Sequence, residues 1–523
     1  MMRRRWTLGI EPKRVLVLAV VLAALGACVG TSTPDDSGMT ITIADAELGA
    51  GPTTSRTITG IDAADGLGDP LYPNLGNDGY DVQHADVSIR LDTSSGRIEG
   101  QADIEAIALD HLDSWSVDLD VLFPSEVLVD GEPANWTHEG GELRIDPDAV
   151  VQIGDTFVMS IAYSGLTEPY DSPAATFMMG LQRSQDGFFA LSEPDGTSSW
   201  MPVNDHPSDK ATYRLELSVP GPLVAAASGT LLETAQGDDG FITYTFEVRD
   251  PVAPYLLAFG VGDFKRVEEQ SPGGVDIRNY FDADIRESSL SIFDRQAEMI
   301  DFLAERFGPY PFEVYGAMVL ETSDVAVALE TQTLSTFGTQ ILGLGEEVVI
   351  HELAHQWFGD SVSLRKWDDI WLNEGFATYT QWLWIEETRG PEFRDTRIAE
   401  SYDLISGRQF LTGTDSESVA AAQAYRQFPP AGSPTPDDIF NASVYLRGGL
   451  TLHALRLEVG DEDFFEIART FQKQFGYGNA DTADFVATVA AVTGRDLTGF
   501  LHAWLYDEAM PPIPSLGLSP LNG

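Results

Sequence analysis

Cysteine is nearly missing from these 523 residues: there is one, Cys28. An internal disulfide framework is therefore excluded, and burial and hydrogen bonding must hold the fold. Basic side chains are scarce, 31 Lys and Arg against 82 Asp and Glu, for a formal net charge of -51. Such a surface repels a phosphate backbone, which excludes nucleic acid as a partner class. It favours solubility and attracts cations and positively charged ligands. An apolar run of spanning length is lacking too. The stretch VLVLAVVLAAL, Val15 to Leu25, falls well short of the roughly 20 residues that a permanent bilayer-spanning helix needs.

What is present begins at the N-terminus. Arg3, Arg4, Arg5, Lys13 and Arg14 precede that short apolar run, the charged and apolar regions of a secretory signal. Leu25-Gly26-Ala27-Cys28 follows and resembles the bacterial lipobox, whose cysteine carries lipid and becomes the mature N-terminus. The expectation is a signal peptide over 1–27 and a lipid-anchored, extracytoplasmic protein held on the bacterial cell membrane through Cys28. An ordinary signal peptide, with Cys28 incidental, is the plainer alternative.

A length of 523 residues and 43% hydrophobic content allow two or three domains with cores of their own. From Val29 to about Gly79 the chain is rich in Gly, Thr, Ser, Pro and Asp, which reads as a flexible tether over 28–79. From Tyr80 short segments such as DVSIRLD and ATYRLELSVP place apolar residues at every second position. That is the period of half-buried strands and predicts an antiparallel β domain over 80–268. Helical periodicity takes over at LSIFDRQAEMIDFLAERFG, Leu290 to Gly308, and a mainly helical domain is predicted over 269–515. The fold class is α+β, multidomain.

The stretch VVIHELAHQWFGD, Val348 to Asp360, has Glu346 and Glu347 before it, an acidic helix start. On a helix His351 and His355 share a face and can point at one ion, while Glu352 is placed to touch water on that ion. A buried helix that happens to carry two histidines is the competing reading. Glu374, in WDDIWLNEGFATYTQWLW, decides between them. Catalytic zinc takes three protein ligands and keeps one position open, and His351, His355 and Glu374 make that set.

HELAHQWFGD followed at this spacing by WLNEGFA resembles the gluzincin zinc aminopeptidases, the family of membrane alanyl aminopeptidase and leukotriene hydrolase. FGPYPF (Phe307 to Phe312), VYLRGGLTLHAL (Val444 to Leu455) and FLHAWLYDEAMPPIP near the end are similar to further segments of that family. The resemblance implies a saddle-like β domain before a thermolysin-like catalytic domain, and one zinc ion per chain. It makes Glu352 the general base and Tyr445 the transition-state tyrosine, with Arg447 where the family usually has lysine. The family's G-x-M-E-N motif, whose glutamate holds the substrate's amino group, is represented here by VALETQTLS. Glu330 aligns with the glutamate, while Ala328, Leu329 and Thr331 depart from the pattern. In the β domain, ALSEPDGTSSW puts Glu193 in the place of a second amine-binding acid. Peptides with a free N-terminus are the implied substrates.

Two other functions fit the class of molecule: a peptide- or zinc-binding surface lipoprotein on a decayed enzyme fold, and an epoxide hydrolase. The five residues His351, Glu352, His355, Glu374 and Tyr445 are intact, which argues against decay, and no motif points to an epoxide. Because FLHAWLYDEAMPPIP lies close to the end of the sequence, the resemblance further implies a cleft without the C-terminal helical domain of many relatives.

Overall fold

The computed structural model describes residues 66–171, 178–322, 327–408 and 428–520. Cys28, the signal sequence and the tether up to residue 65 lie outside the described residues. Among those described, no helix is long and apolar enough to cross a membrane.

The alternating segments form an eight-stranded sheet. Its strand order is Thr230–Gln236, Phe241–Val252, Ala211–Pro220, Tyr80–Asp92, Arg97–Ala108, Thr156–Leu166, Phe123–Val129 and Glu132–Pro133. Ala211–Pro220 alternates buried and half-buried residues along its whole length, because side chains with a period of two send one set into the core. Neighbours in the sheet run antiparallel with one exception: Tyr80–Asp92 pairs parallel with Ala211–Pro220. A five-stranded sheet that contains Val224–Ala227, Phe259–Gly262 and Phe188–Leu191 shares a buried cluster with the second domain, Phe189 and Ala226 joining Met318 and Leu320 in it.

Two expected boundaries move. The division between 268 and 269 falls inside the strand Phe264–Gln270, which pairs with Asp276–Asp282 in the sheet of the second domain. Alternation shows that a segment is a strand but not which sheet it joins. The tether over 28–79 is also too long at its C-terminal end. Asp69 is buried; its carboxylate accepts from the N–H groups of Leu71 and Tyr72 and, at 2.7 Å, from that of Trp367. Asn77 N–H donates to Asn204 Oδ1. The Gly, Pro and Asp content that suggested a tether serves here to make turns that dock on both domains.

In the second domain Asp276–Asp282, Ala317–Leu320 and Ser335–Gly338 run parallel, and the short edge strand Ala328–Leu329 runs antiparallel to the last of them. Eight α-helices follow or flank this sheet among the described residues: α1 (Gln296–Phe307), α2 (Glu346–His355), α3 (Trp371–Arg389), α4 (Pro391–Ile405), α5 (Gly448–Val459), α6 (Asp461–Phe475), α7 (Thr482–Thr493) and α8 (Thr498–Leu505). Helix α2 starts with Glu346 and Glu347 in its first turn and is buried from Glu347 to His355. A helix apolar or buried on every side belongs to the interior of a domain. Phe358, just past it, stacks on Phe376 of α3 at 3.9 Å.

The approach of α3 to α5 depends on two glycines. A Cβ on Gly375 would stand 2.9 Å from Gly448 Cα, and one on Gly448 would stand 2.8 Å from Gly375 Cα. Bare backbones meet at this crossing, one residue past Glu374 and three past Tyr445. The spacing of NEG and YLRG in the sequence thus brings a candidate ligand and a candidate proton donor into one cleft.

Candidate metal centre and active site

His351 and His355 stand one turn apart on α2, with ring centres 4.9 Å apart and edge to face. Glu374, in the first turn of α3, brings Oε2 to 3.2 Å from His351 Nε2 and 3.7 Å from His355 Nε2. A tetrahedral ion with bonds of about 2.1 Å spaces its ligand atoms about 3.4 Å apart. The three atoms therefore match a single zinc ion. His355 Nδ1 lies 3.2 Å from the Phe358 carbonyl. A carbonyl can only accept, so Nδ1 carries the proton and Nε2 keeps the lone pair that faces Glu374. Burial pushes the His351 imidazole down to about 4 and His355 well below its ordinary value. Both are neutral at pH 7, the form that binds a metal.

Carboxyl groups crowd this place. Glu193, Glu330, Glu352, Glu374 and Asp360 are each at most 7% exposed. One carboxylate oxygen each from Glu193, Glu330 and Glu374 come within 4.8 Å of one another, as do ligand atoms of Glu330, Glu352 and His355. Burial, and after it the charges of Glu330, Glu374 and Asp360, holds the Glu352 carboxyl well above the usual carboxylate range. Burial raises Glu374, and burial with the Glu374 charge raises Glu330. Uncompensated acids in a low-dielectric interior are costly. The donor set fits a divalent cation beside the histidines and a further positive group beside Glu193 and Glu330, whose Oε1 atoms have no hydrogen-bond partner among the described residues.

Different elements deliver these groups. Glu330 follows the edge strand Ala328–Leu329, and its Oε1 lies 3.8 Å from His355 Nδ1. Glu193 comes from the β domain, two residues past Phe188–Leu191. Tyr445 lies in a π-helical turn, Ser443–Arg447, and its ring is nearly parallel to that of His351 at 6.2 Å. Burial, followed by Glu374, Glu193, Glu330 and Glu352, keeps the Tyr445 phenol well above its ordinary value, so it stays protonated and able to donate. All seven residues singled out from the sequence thus lie together in one buried region. Two departures from the family pattern point elsewhere: Leu329 is buried in a small core, and the Thr331 hydroxyl donates to the Leu334 carbonyl at 2.5 Å. Arg447 also turns away from the cleft. Its guanidinium donates to the carbonyls of Trp504 at 2.5 Å, Ala503 and Asp507, bracing the turn that carries Tyr445 against α8.

Sequence reasoning passed over several supporting residues. Asp360 is fully buried, and neither carboxylate oxygen has a hydrogen-bond partner among the described residues. Lys210 from the β domain donates to the Asp360 carbonyl at 2.7 Å and to that of Ser361. Asn373 Nδ2, beside Glu374, donates to Tyr255 Oη at 3.4 Å. Gln356, directly after His355, is fully buried and bonded at both ends of its amide. A polar residue within the apolar run that follows His355 was the available signal for it.

A β domain packed on a helical domain whose paired histidines and distant glutamate share one cation site defines a zinc metallopeptidase architecture. Comparison with known proteins narrows this. Residues 80–256 match the peptidase M1 N-terminal domain, and residues 292–504 match the peptidase family M1 domain. A crystal structure of an M1 zinc metallopeptidase from Deinococcus radiodurans is 32% identical, with a TM-score of 0.77, covering 86% of this chain and 99% of that one. A mutant of that enzyme bound to a Tyr-Ser-Ala substrate superposes equally well. The chain belongs to the peptidase M1 family. Leucyl aminopeptidase of Saccharolobus solfataricus is 25% identical over 436 residues, which is 80% of this chain and 51% of that protein. Aminopeptidase N of Lactococcus lactis is 24% identical over 457 residues, 82% of this chain and 50% of that protein. The chain thus spans about half the length of these curated relatives.

Proposed function

We propose that this protein is a zinc-dependent aminopeptidase that hydrolyses the first peptide bond of peptides with a free N-terminus. The observation that carries the reading is the pair of buried carboxylates, Glu330 and Glu193, each with an oxygen lacking a hydrogen-bond partner among the described residues and each with a carboxylate oxygen within 4.8 Å of one of Glu374. They come from different domains and together call for one positive charge beside the paired histidines. A protonated α-amino group satisfies them; an acylated one leaves them buried and unpaired, which costs affinity.

His351, His355 and Glu374 would hold the zinc, which when bound would supply Lewis acidity toward a carbonyl and a water. Glu352 takes the proton from the attacking water and passes it to the departing amine. The Tyr445 hydroxyl donates to the carbonyl oxygen as negative charge grows on it, an interaction stronger in the transition state than in the ground state. Glu330 and Glu193 fix the amino terminus, so that the first peptide bond is the one in register with these groups. The names of the relatives, aminopeptidases among them, support the same reading.

An aminoacyl p-nitroanilide and its N-acetyl derivative test it. The free-amine compound is expected to be cleaved at least about 100-fold faster at low concentration, on the order of the 3 kcal/mol for leaving buried charges unpaired. Glu330→Ala should remove most of that preference while zinc content stays the same. Equal cleavage of the two compounds by the parent protein would contradict the amine anchor.

The same proposal places the protein outside the cytoplasm, tethered to the cell membrane by lipid on Cys28. The support is the charged and short apolar leader ahead of the only cysteine. Full-length protein should then partition into detergent and Cys28→Ser into the aqueous phase; identical partitioning would refute the anchor.

A further inference from the structure

Glu330 belongs to an unusual turn. Thr333, three residues on, has φ +67°, a left-handed conformation in which a β-branched side chain is strained. Such a conformation persists only when its surroundings over-determine it. Here they do so from two sides. On the β-domain side, Gln332 N–H donates to the Leu256 carbonyl at 2.9 Å, and Gly229 N–H donates to Thr333 Oγ1 at 2.8 Å. On the other side stands Gln356. Its Nε2 donates to the Glu330 carbonyl at 3.0 Å, and its Oε1 accepts from Thr333 N–H at 2.8 Å.

The amide is itself held. Tyr310 Oη, in the FGPYPF segment, lies 3.2 Å from Gln356 Oε1 and 3.0 Å from the Val314 carbonyl. Gln356 is fully buried and occupies the residue next to His355 at the end of α2. The amide therefore spans the turn from the residue that carries the carboxylate to the strained residue, and ties both to the helix that carries the two histidines. A side chain with both a donor and an acceptor is needed for that, and Gln356 uses each.

We infer that Gln356 is a positioning residue for substrate recognition: it sets the distance between the amine-binding carboxylate of Glu330 and the metal centre. This rests on the reading of Glu330 as the amine anchor. Gln356 touches no substrate. Its loss lets the 330–334 turn relax out of its left-handed conformation and moves the carboxylate off the amine, while the histidines and Glu374 keep their places.

A four-corner comparison tests this, with parent, Gln356→Met, Glu330→Ala and the double variant assayed on L-leucine p-nitroanilide, and zinc content measured for each. The expected result for Gln356→Met is a KM roughly tenfold higher with kcat changed less than about threefold and zinc unchanged, the size of a lost buried hydrogen bond. In the Glu330→Ala background the same substitution should change KM less than about twofold, because the anchor it positions is gone. Two results would overturn the inference: an equal fold-loss in both backgrounds, or loss of zinc and kcat in Gln356→Met, which would mean that the amide only seats His355. If Glu330→Ala alone leaves KM for the free amine untouched, the anchor reading itself fails, and that corner shows it separately. Should Gln356→Met not fold, Gln356→Leu, which likewise removes both bonds of the amide, goes through the same comparison, and the same two results would overturn the inference.

Discussion

Glu352→Gln is expected to bind zinc as the parent does and to lose about 10²- to 10⁴-fold in kcat, the span that a positioned general base contributes. The substitution keeps shape and burial. It takes away only the group that can accept and return a proton. Glu352 stands beside His351 on α2, yet it is not one of the three residues whose ligand atoms converge as His351, His355 and Glu374. Metal content and turnover should therefore separate in this variant. Near-parent turnover in Glu352→Gln would show that another group moves the proton. Loss of zinc together with activity would show that Glu352 belongs to the metal site instead.

Tyr445→Phe should lower kcat by about 10²- to 10³-fold with KM changed little, the cost of removing one donor to a developing oxyanion. The ring would remain against His351, since its 6.2 Å near-parallel placement depends on the aromatic face and on the turn braced by Arg447. Only the hydroxyl is lost. A fall confined to KM would make the hydroxyl a ground-state substrate contact. Steady-state kinetics over a range of substrate concentrations distinguishes the two.

Much of this site was legible in the sequence because its chemistry is written at short range. His351, Glu352 and His355 need only one turn of helix to find their relative positions, and Glu346 with Glu347 marks where that helix starts. The β and helical halves were legible for the same reason, through periods of two and of about 3.6 residues. Glu374 was legible as the third ligand that catalytic zinc requires, whereas Glu330, Glu193 and Tyr445 were placed by resemblance, since nothing local says that a carboxylate in one domain meets a histidine in another.

What escaped is what depends on long-range packing. Asp69 looks like part of a polar linker until its carboxylate is seen to cap the backbone at Trp367. Gly375 and Gly448 show their role only where two helices cross at backbone contact. Gln356 reads as one more helix-end residue, yet it joins the 330–334 turn to α2. The strand Phe264–Gln270 alternates like those before it but pairs in the other domain's sheet. Periodicity reports burial, not the identity of the neighbour that causes it.

The proposed peptide trimming depends on two imidazole nitrogens and one carboxylate oxygen sharing a single ion. The most direct test is elemental analysis of the purified protein, with X-ray absorption at the zinc edge, for the parent and for Glu374→Ala. One zinc per chain is expected in the parent, with two nitrogen ligands at about 2.0–2.1 Å and oxygen completing the shell, and weakened retention once Glu374 is removed. A parent protein that takes up no stoichiometric metal, or a Glu374→Ala protein that holds zinc as tightly as the parent, would contradict it.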